Sequence, residues 1–145
     1  MPGITVGVDG SDNSYRALEW AMKEAALRQV GLNVLAVHEV AANQWTANPM
    51  VTPEDEAETQ QARSWTEESI SKIAGQLGGT QPPSISVRAL SGFSAEELIK
   101  ASQDSDLVVV SQRGSGGFPR LAIGGVASKV MHHAACPVVV VPAGK

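Results

Sequence analysis

Leu107-Val108-Val109-Val110 runs directly into Ser111-Gln112-Arg113-Gly114-Ser115-Gly116-Gly117. Four successive apolar side chains, three of them β-branched, give a strand with no polar face. Such a strand is buried on both sides, the habit of a parallel sheet covered by helices. The glycine-rich stretch that follows then falls at the carboxyl end of the strand. Working outward, Ile4-Thr5-Val6-Gly7-Val8 is a β-branched run that ends at the turn-forming pair Asp9-Gly10. Leu32 to Val40 holds the nearly unbroken apolar stretch Val34-Leu35-Ala36-Val37, and Pro137-Val138-Val139-Val140-Val141 closes the set. Ile85 to Leu90 alternates apolar and polar residues and reads as a further strand.

Amphipathic stretches separate these runs. Ala17, Leu18, Ala21, Met22, Ala25 and Ala26 recur at helical spacing, with Ser11 or Asn13 as N-cap and Gly31 as the stop. Thr52-Pro53-Glu54-Asp55 opens a helix with a capping threonine, proline at the first position and acids in the first turn; it runs to about Leu77 before Gly78-Gly79. Ser94-Ala95-Glu96-Glu97 has the form of a capping box for a short helix. Gly124 to Ala134 places Val126, Val130 and Met131 at helical spacing. Ala41 to Thr52, with Trp45, has no period and reads as a lid or binding loop.

Five strands alternating with four helices specify an α/β three-layer sandwich, a parallel sheet with helices on both faces. Ligands of such sheets sit beyond the carboxyl ends of the strands, here after the first and fourth. Of the 145 residues, 43% are hydrophobic and 18% charged, which excludes disorder and fits one domain. Eleven basic residues against 15 acidic ones exclude a general nucleic-acid binder or an anionic-membrane binder. No apolar run approaches the ~20 residues of a membrane span, and the opening residues carry no signal-peptide pattern. The expectation is a cytoplasmic protein.

Glycines let backbone N–H groups approach a phosphate, and a helix N-terminus adds unpaired donors and a positive dipole end. Ser111 to Gly117 and Gly124-Gly125 fit that role; they equally fit a strand-to-helix connection with glycine turns. Gly-Lys-Ser/Thr is absent, so this is not a P-loop, and Pro119 stands where a dinucleotide fingerprint needs its third glycine. Asp9 suits either a ribose or base acceptor or a helix cap. His132 and His133 are adjacent on a helix and cannot chelate together. His38 and Cys136 read as structural residues, and Trp45, which with Trp65 flanks the irregular segment, as cover for the core or a stacking platform. No Ser/His/Asp constellation or paired-carboxylate spacing points to catalysis.

Three stretches together resemble the universal stress proteins, over the whole chain. They are Val6-Gly7-Val8-Asp9-Gly10-Ser11; Ser111-Gln112-Arg113-Gly114, nine residues, Gly124-Gly125; and His132-His133-Ala134-Ala135-Cys136-Pro137-Val138-Val139-Val140. The resemblance implies one domain over residues 1–145 and strand order 3-2-1-4-5. It implies a homodimer through Val138 to Val141, and an adenine nucleotide as ligand. Val8, Asp9 and the backbone around Val37 would hold the adenosine part. Ser111, Arg113, Gly114, Gly124, Gly125, Val126 and Ser128 would hold the phosphates. The ligand would be ATP, carried with Mg2+, or the shorter AMP or ADP. The chain departs from the family pattern at Ser111, Gly125 and Ala127, where the pattern has a glycine and two hydroxyl residues. Each lost hydroxyl bond to a charged oxygen removes about 1.5–3 kcal/mol, roughly ten- to a hundredfold in affinity. The function implied is a nucleotide-binding regulator of stress or dormancy that acts on an unknown protein partner. A dimeric interaction module without nucleotide is the alternative, and slow ATP hydrolysis is not expected to be the function.

Overall fold

The computed structural model describes residues 3–40, 48–112 and 124–143. Among them, five strands alternate with four helices: β1 (Ile4–Val8), α1 (Asp12–Arg28), β2 (Leu32–Glu39), α2 (Pro53–Leu77), β3 (Ile85–Gly92), α3 (Ser94–Ser102), β4 (Leu107–Ser111), α4 (Gly125–His133) and β5 (Val138–Val141). The sheet order is β3-β2-β1-β4-β5, and every neighbouring pair is parallel.

The apolar runs divide between two faces, as strand alternation requires. Leu107 and Val109 of β4 join Ile4, Val6, Leu32 and Val34 beneath Leu18, Ala21 and Met22 of α1 and Ile73 of α2. Val108 and Val110 join Leu35 and Val37 beneath Ala95 and Leu98 of α3 and Ala127 and Val130 of α4. The order 3-2-1-4-5 therefore sits between a helix pair on each face. Gly7 lets α3 come close to β1, since a Cβ there would meet Leu98 Cδ1 at 2.8 Å.

Two local expectations are corrected. The first helix does not stop at Gly31: it ends at Arg28, and Gln29 adopts the left-handed C-cap conformation at φ 53°. The Gln29 amide stabilises that conformation by donating to the carbonyls of Ala26 (2.8 Å) and Gln81 (3.0 Å). Gly31 instead lies against Gly3, where any Cβ would collide with the Gly31 carbonyl oxygen. Nor do Ser94 and Glu97 form a capping box. β3 runs two residues beyond Leu90, to Gly92, so Phe93 takes the N-cap position without a side-chain bond and Ser94 is already helical. The acceptor comes from another element: Glu39, in register with Gly92, takes the Ser94 N–H on Oε1 at 3.0 Å.

The capping box that does form is at Thr52 and Asp55. Of the two candidates for the first helix, Ser11 is the N-cap, and its hydroxyl accepts from Ser14 N–H at 3.1 Å. Among the described residues, no helix is long and apolar enough to cross a membrane.

Candidate functional site

β1 and β4 are adjacent, but their following helices cover opposite faces, so the chain diverges at their carboxyl ends. A cleft of about 1240 Å³ opens there. Seven of the ten residues that the resemblance assigns to the nucleotide line it: Val8, Asp9, Val37, Ser111, Gly124, Gly125 and Val126. Ser128 does not reach the wall, although Ala127 and Lys129 on either side do. Arg113 and Gly114, like Trp45, lie outside the described residues.

Asp9 is both a cleft residue and a turn residue. Its Oδ1 accepts from the Ser11 N–H at 2.9 Å and the Ser11 hydroxyl at 2.5 Å, which fixes the N-cap of α1. Gly10 makes the turn at φ 86°, a backbone region that glycine enters without penalty.

At the other side of the cleft, α4 starts with Gly124 as a cap that offers no side chain. The first N–H groups of a helix have no intrahelical acceptor, so this end presents backbone donors and a positive dipole. The two replaced hydroxyl positions differ. Gly125 is exposed, and a Cβ there would meet nothing within 4 Å. Ala127 is 1% exposed and its methyl belongs to the apolar cluster under α4. Gln112 closes the neck before α4: its carbonyl accepts from Gly124 N–H at 2.6 Å, its N–H donates to Val141 O at 2.8 Å, and its Oε1 accepts from Ala143 N–H at 3.0 Å.

The charge of the cleft is uneven. Asp9, Glu39, Glu58 and Glu96 line it against Lys129 among the described residues. Aromatic cover comes from Trp65, which lines the cleft and also packs against the α1–α2 core, and from Phe93.

His38, read from the sequence as a structural residue, makes contacts of that kind, with partners the sequence did not indicate. Its Nε2 lies 2.9 Å from Asp55 Oδ1 and its Nδ1 3.3 Å from Glu58 Oε2, so the end of β2 is tied to the first turns of α2. Asp55 Oδ2 in turn accepts from the Thr52 N–H and hydroxyl, each at 2.9 Å. The Thr52 N–H, then the His38 ring and the Thr52 hydroxyl, hold the Asp55 carboxyl below its ordinary value. A carboxyl so depressed stabilises the fold above its unfolded pKa, about 3.9, and loses that contribution as pH falls through its folded value. The melting-temperature gap between wild type and Asp55→Ala is therefore expected to be wide at pH 7 and to shrink below about pH 4. Thermal melts at pH 7 and pH 3 check this; equal gaps would remove the carboxylate from the account.

The remaining candidates are peripheral. His132 and His133 are exposed, and the His132 ring bonds Ser128 O at 2.7 Å. Cys136 is half-buried, and burial pushes its thiol pKa up.

Comparison with known proteins agrees with this arrangement. The model of the universal stress protein family matches residues 2–142. A universal stress protein of Mycolicibacterium smegmatis is 33% identical over 139 residues, 96% of this chain and 47% of that protein. The chain thus spans about half the length of the curated relatives it matches. Universal stress protein UspA from Lactobacillus plantarum superposes with a TM-score of 0.72 at 23% identity, with 97% of each chain covered. The Archaeoglobus fulgidus protein solved in complex with dAMP superposes with a TM-score of 0.62 at 25% identity, again with 97% of each covered. A match of the family model over nearly the whole chain makes this chain a member of the universal stress protein family.

Proposed function

We propose that this chain is an adenine-nucleotide-binding regulator of a stress or dormancy response, and that its cleft holds AMP or ADP more tightly than ATP. One observation carries the reading. The cleft at the β1–β4 divergence sets Asp9 on one side and the bare N-terminus of α4 on the other. That pairing suits a ligand with a hydroxyl-rich head and an anionic end. The dAMP complex of the Archaeoglobus fulgidus relative supports the same ligand class.

In this reading Val8, Asp9 and the Val37 backbone hold adenosine. Backbone donors of Gly125 and Val126 hold the first phosphate, with Ser111, Arg113 and Gly114 as the further contacts; Gly124 keeps its N–H on Gln112, and Ser128 stands behind the wall. The four lining carboxylates disfavour a polyphosphate, and ATP enters only with Mg2+ to offset its charge. The role is regulatory rather than catalytic. Asp9 is engaged with Ser11, and both His38 nitrogens face carboxylates, which leaves neither poised as a base. The chain works in the cytoplasm as a homodimer through β5. Among the described residues that strand pairs with β4 on one side only, which leaves its outer edge for a second copy. Sedimentation equilibrium at a single-chain mass would remove the dimer. A protein partner reads the nucleotide state.

Calorimetric titration of the nucleotide-stripped chain with AMP and with magnesium ATP tests the ligand. Saturation near one per chain is expected, with AMP the tighter. Gly125→Ser restores a hydroxyl where there is open space. It is expected to raise ATP affinity by roughly ten- to a hundredfold, and AMP affinity by less. The absence of hydroxyls at Gly125 and Ala127 also favours a second reading, a dimeric interaction module that binds no nucleotide. Neither heat nor a melting shift with either ligand at millimolar concentration would establish that reading instead.

A further inference from the structure

We propose that His38 is a proton-operated latch on the cleft wall: as an imidazolium it grips both Asp55 and Glu58, and as a neutral imidazole it keeps Asp55 and releases Glu58. The argument is a count of protons. An imidazolium has two N–H donors, and a neutral ring has one donor and one lone pair. Nε2 is hydrogen-bonded to Asp55 Oδ1 at 2.9 Å, and Nδ1 lies at ion-pair distance, 3.3 Å, from Glu58 Oε2. Only the charged ring satisfies both.

Once the ring gives up a proton to water, one contact becomes lone pair against carboxylate. The loser is decided by anchoring. Asp55 is fixed through its other oxygen by the Thr52 N–H and hydroxyl, and its side chain is 21% exposed. Glu58 has no other ion pair among the described residues, and its side chain is 60% exposed. The remaining proton therefore stays on Nε2, and Glu58 swings into solvent.

Among the described residues, these two carboxylates are the charged groups that pair with the ring. On β3, the residue in register with His38 is Ser91, uncharged and bonded to Thr59 and the Asp55 carbonyl. On β2 itself, Glu39 turns to the Ser94 N–H. Asp9 at the end of β1 binds Ser11. Glu96 of α3 and Lys129 of α4 line the same cleft, and neither pairs with the ring. The depressed pKa of Asp55 agrees with a donor held against it.

The latch bears on the cleft because α2 forms one wall of it, through Glu58, Gln61, Ala62 and Trp65. With Glu58 released, the first turns of α2 lose one of their two ties to β2, and the wall grips a ligand less firmly. Among side-chain types, histidine is the one suited to carry a proton-operated contact near neutral pH.

The first test uses the ligand-free protein and NMR. At pH 5, nuclear Overhauser contacts are expected from both Asp55 and Glu58 to the His38 ring. At pH 8, those from Asp55 persist and those from Glu58 are lost. Glu58 contacts that survive while the ring titrates, or a ring that does not titrate between pH 5 and 8, would overturn the latch. The second test rests on the nucleotide reading above and uses adenosine, which has no group titrating in this range. Its affinity is expected to be roughly fivefold weaker at pH 8 than at pH 5.5, and to change less than twofold in His38→Gln. A flat profile in wild type would overturn the coupling to the cleft. Adenosine that binds at neither pH would instead count against the nucleotide reading and leave the first test to decide the latch.

Discussion

Truncating Leu18 to alanine is expected to lower the free energy of unfolding by about 2–5 kcal/mol. Leu18 is fully buried on the sheet-facing side of α1, between Ala17, Ala21 and Met22 of its own helix and the β1, β2 and β4 valines and leucines beneath. Three of the α1 positions that face the sheet beside it, Ala17, Ala21 and Ala25, are alanines, so Met22 is the one long buried α1 side chain beside it that could move into the space, and it is itself fully packed. A cavity that cannot collapse costs its volume in addition to the lost transfer energy. For a chain of this length, each kcal/mol moves the melting temperature by roughly 2–4 °C. Calorimetric melts of the two proteins would show it, and a drop of less than about 3 °C would mean that α1 repacks over the sheet.

The second large effect concerns binding. Asp9→Ala is expected to weaken AMP by roughly ten- to a hundredfold, the range for loss of a hydrogen bond to a charged group. Because Asp9 also holds Ser11, the alanine variant loses part of the α1 cap as well, although the Ser11 hydroxyl keeps its own bond to Ser14 N–H. Asp9→Asn separates the two roles. An amide oxygen still accepts from Ser11, so its melting temperature is expected to stay near wild type while AMP binding weakens. Calorimetric titration of both variants decides the matter: AMP bound as tightly by Asp9→Ala as by wild type would take Asp9 out of the site.

Much of the fold is legible because its cause is local. Four-residue apolar runs such as Leu107–Val110 have one burial pattern open to them, and the Thr52-Pro53 start of α2 carries its own capping acceptor. The resemblance to a known family supplied the strand order, which composition and periodicity leave open. What could not be read depends on residues far apart in the chain. The first helix ends at Arg28, and its left-handed cap Gln29 is held in part by the carbonyl of Gln81, 52 positions on. Ser94 looks like a cap, and the acceptor at that helix start is Glu39, 55 positions earlier. The same holds at the cleft. Asp9 and Gly124 stand out beside a turn and a glycine cluster, whereas His38 looks like any histidine late in a strand until α2 brings Asp55 and Glu58 against it.

The neck at Gln112 and Gly124 has a consequence for how such a cleft changes over time. A hydrogen bond of 2.6 Å joins the two ends of the segment between them, and Gln112 is tied separately to Val141 and Ala143. The join belongs to the scaffold and not to the intervening residues. Closing a loop whose ends are already placed depends only weakly on its length, about 0.6 kcal/mol for each doubling. A change of sequence between Gln112 and Gly124 is therefore expected to leave β4, β5 and the start of α4 in place, because those two residues hold the scaffold together by themselves.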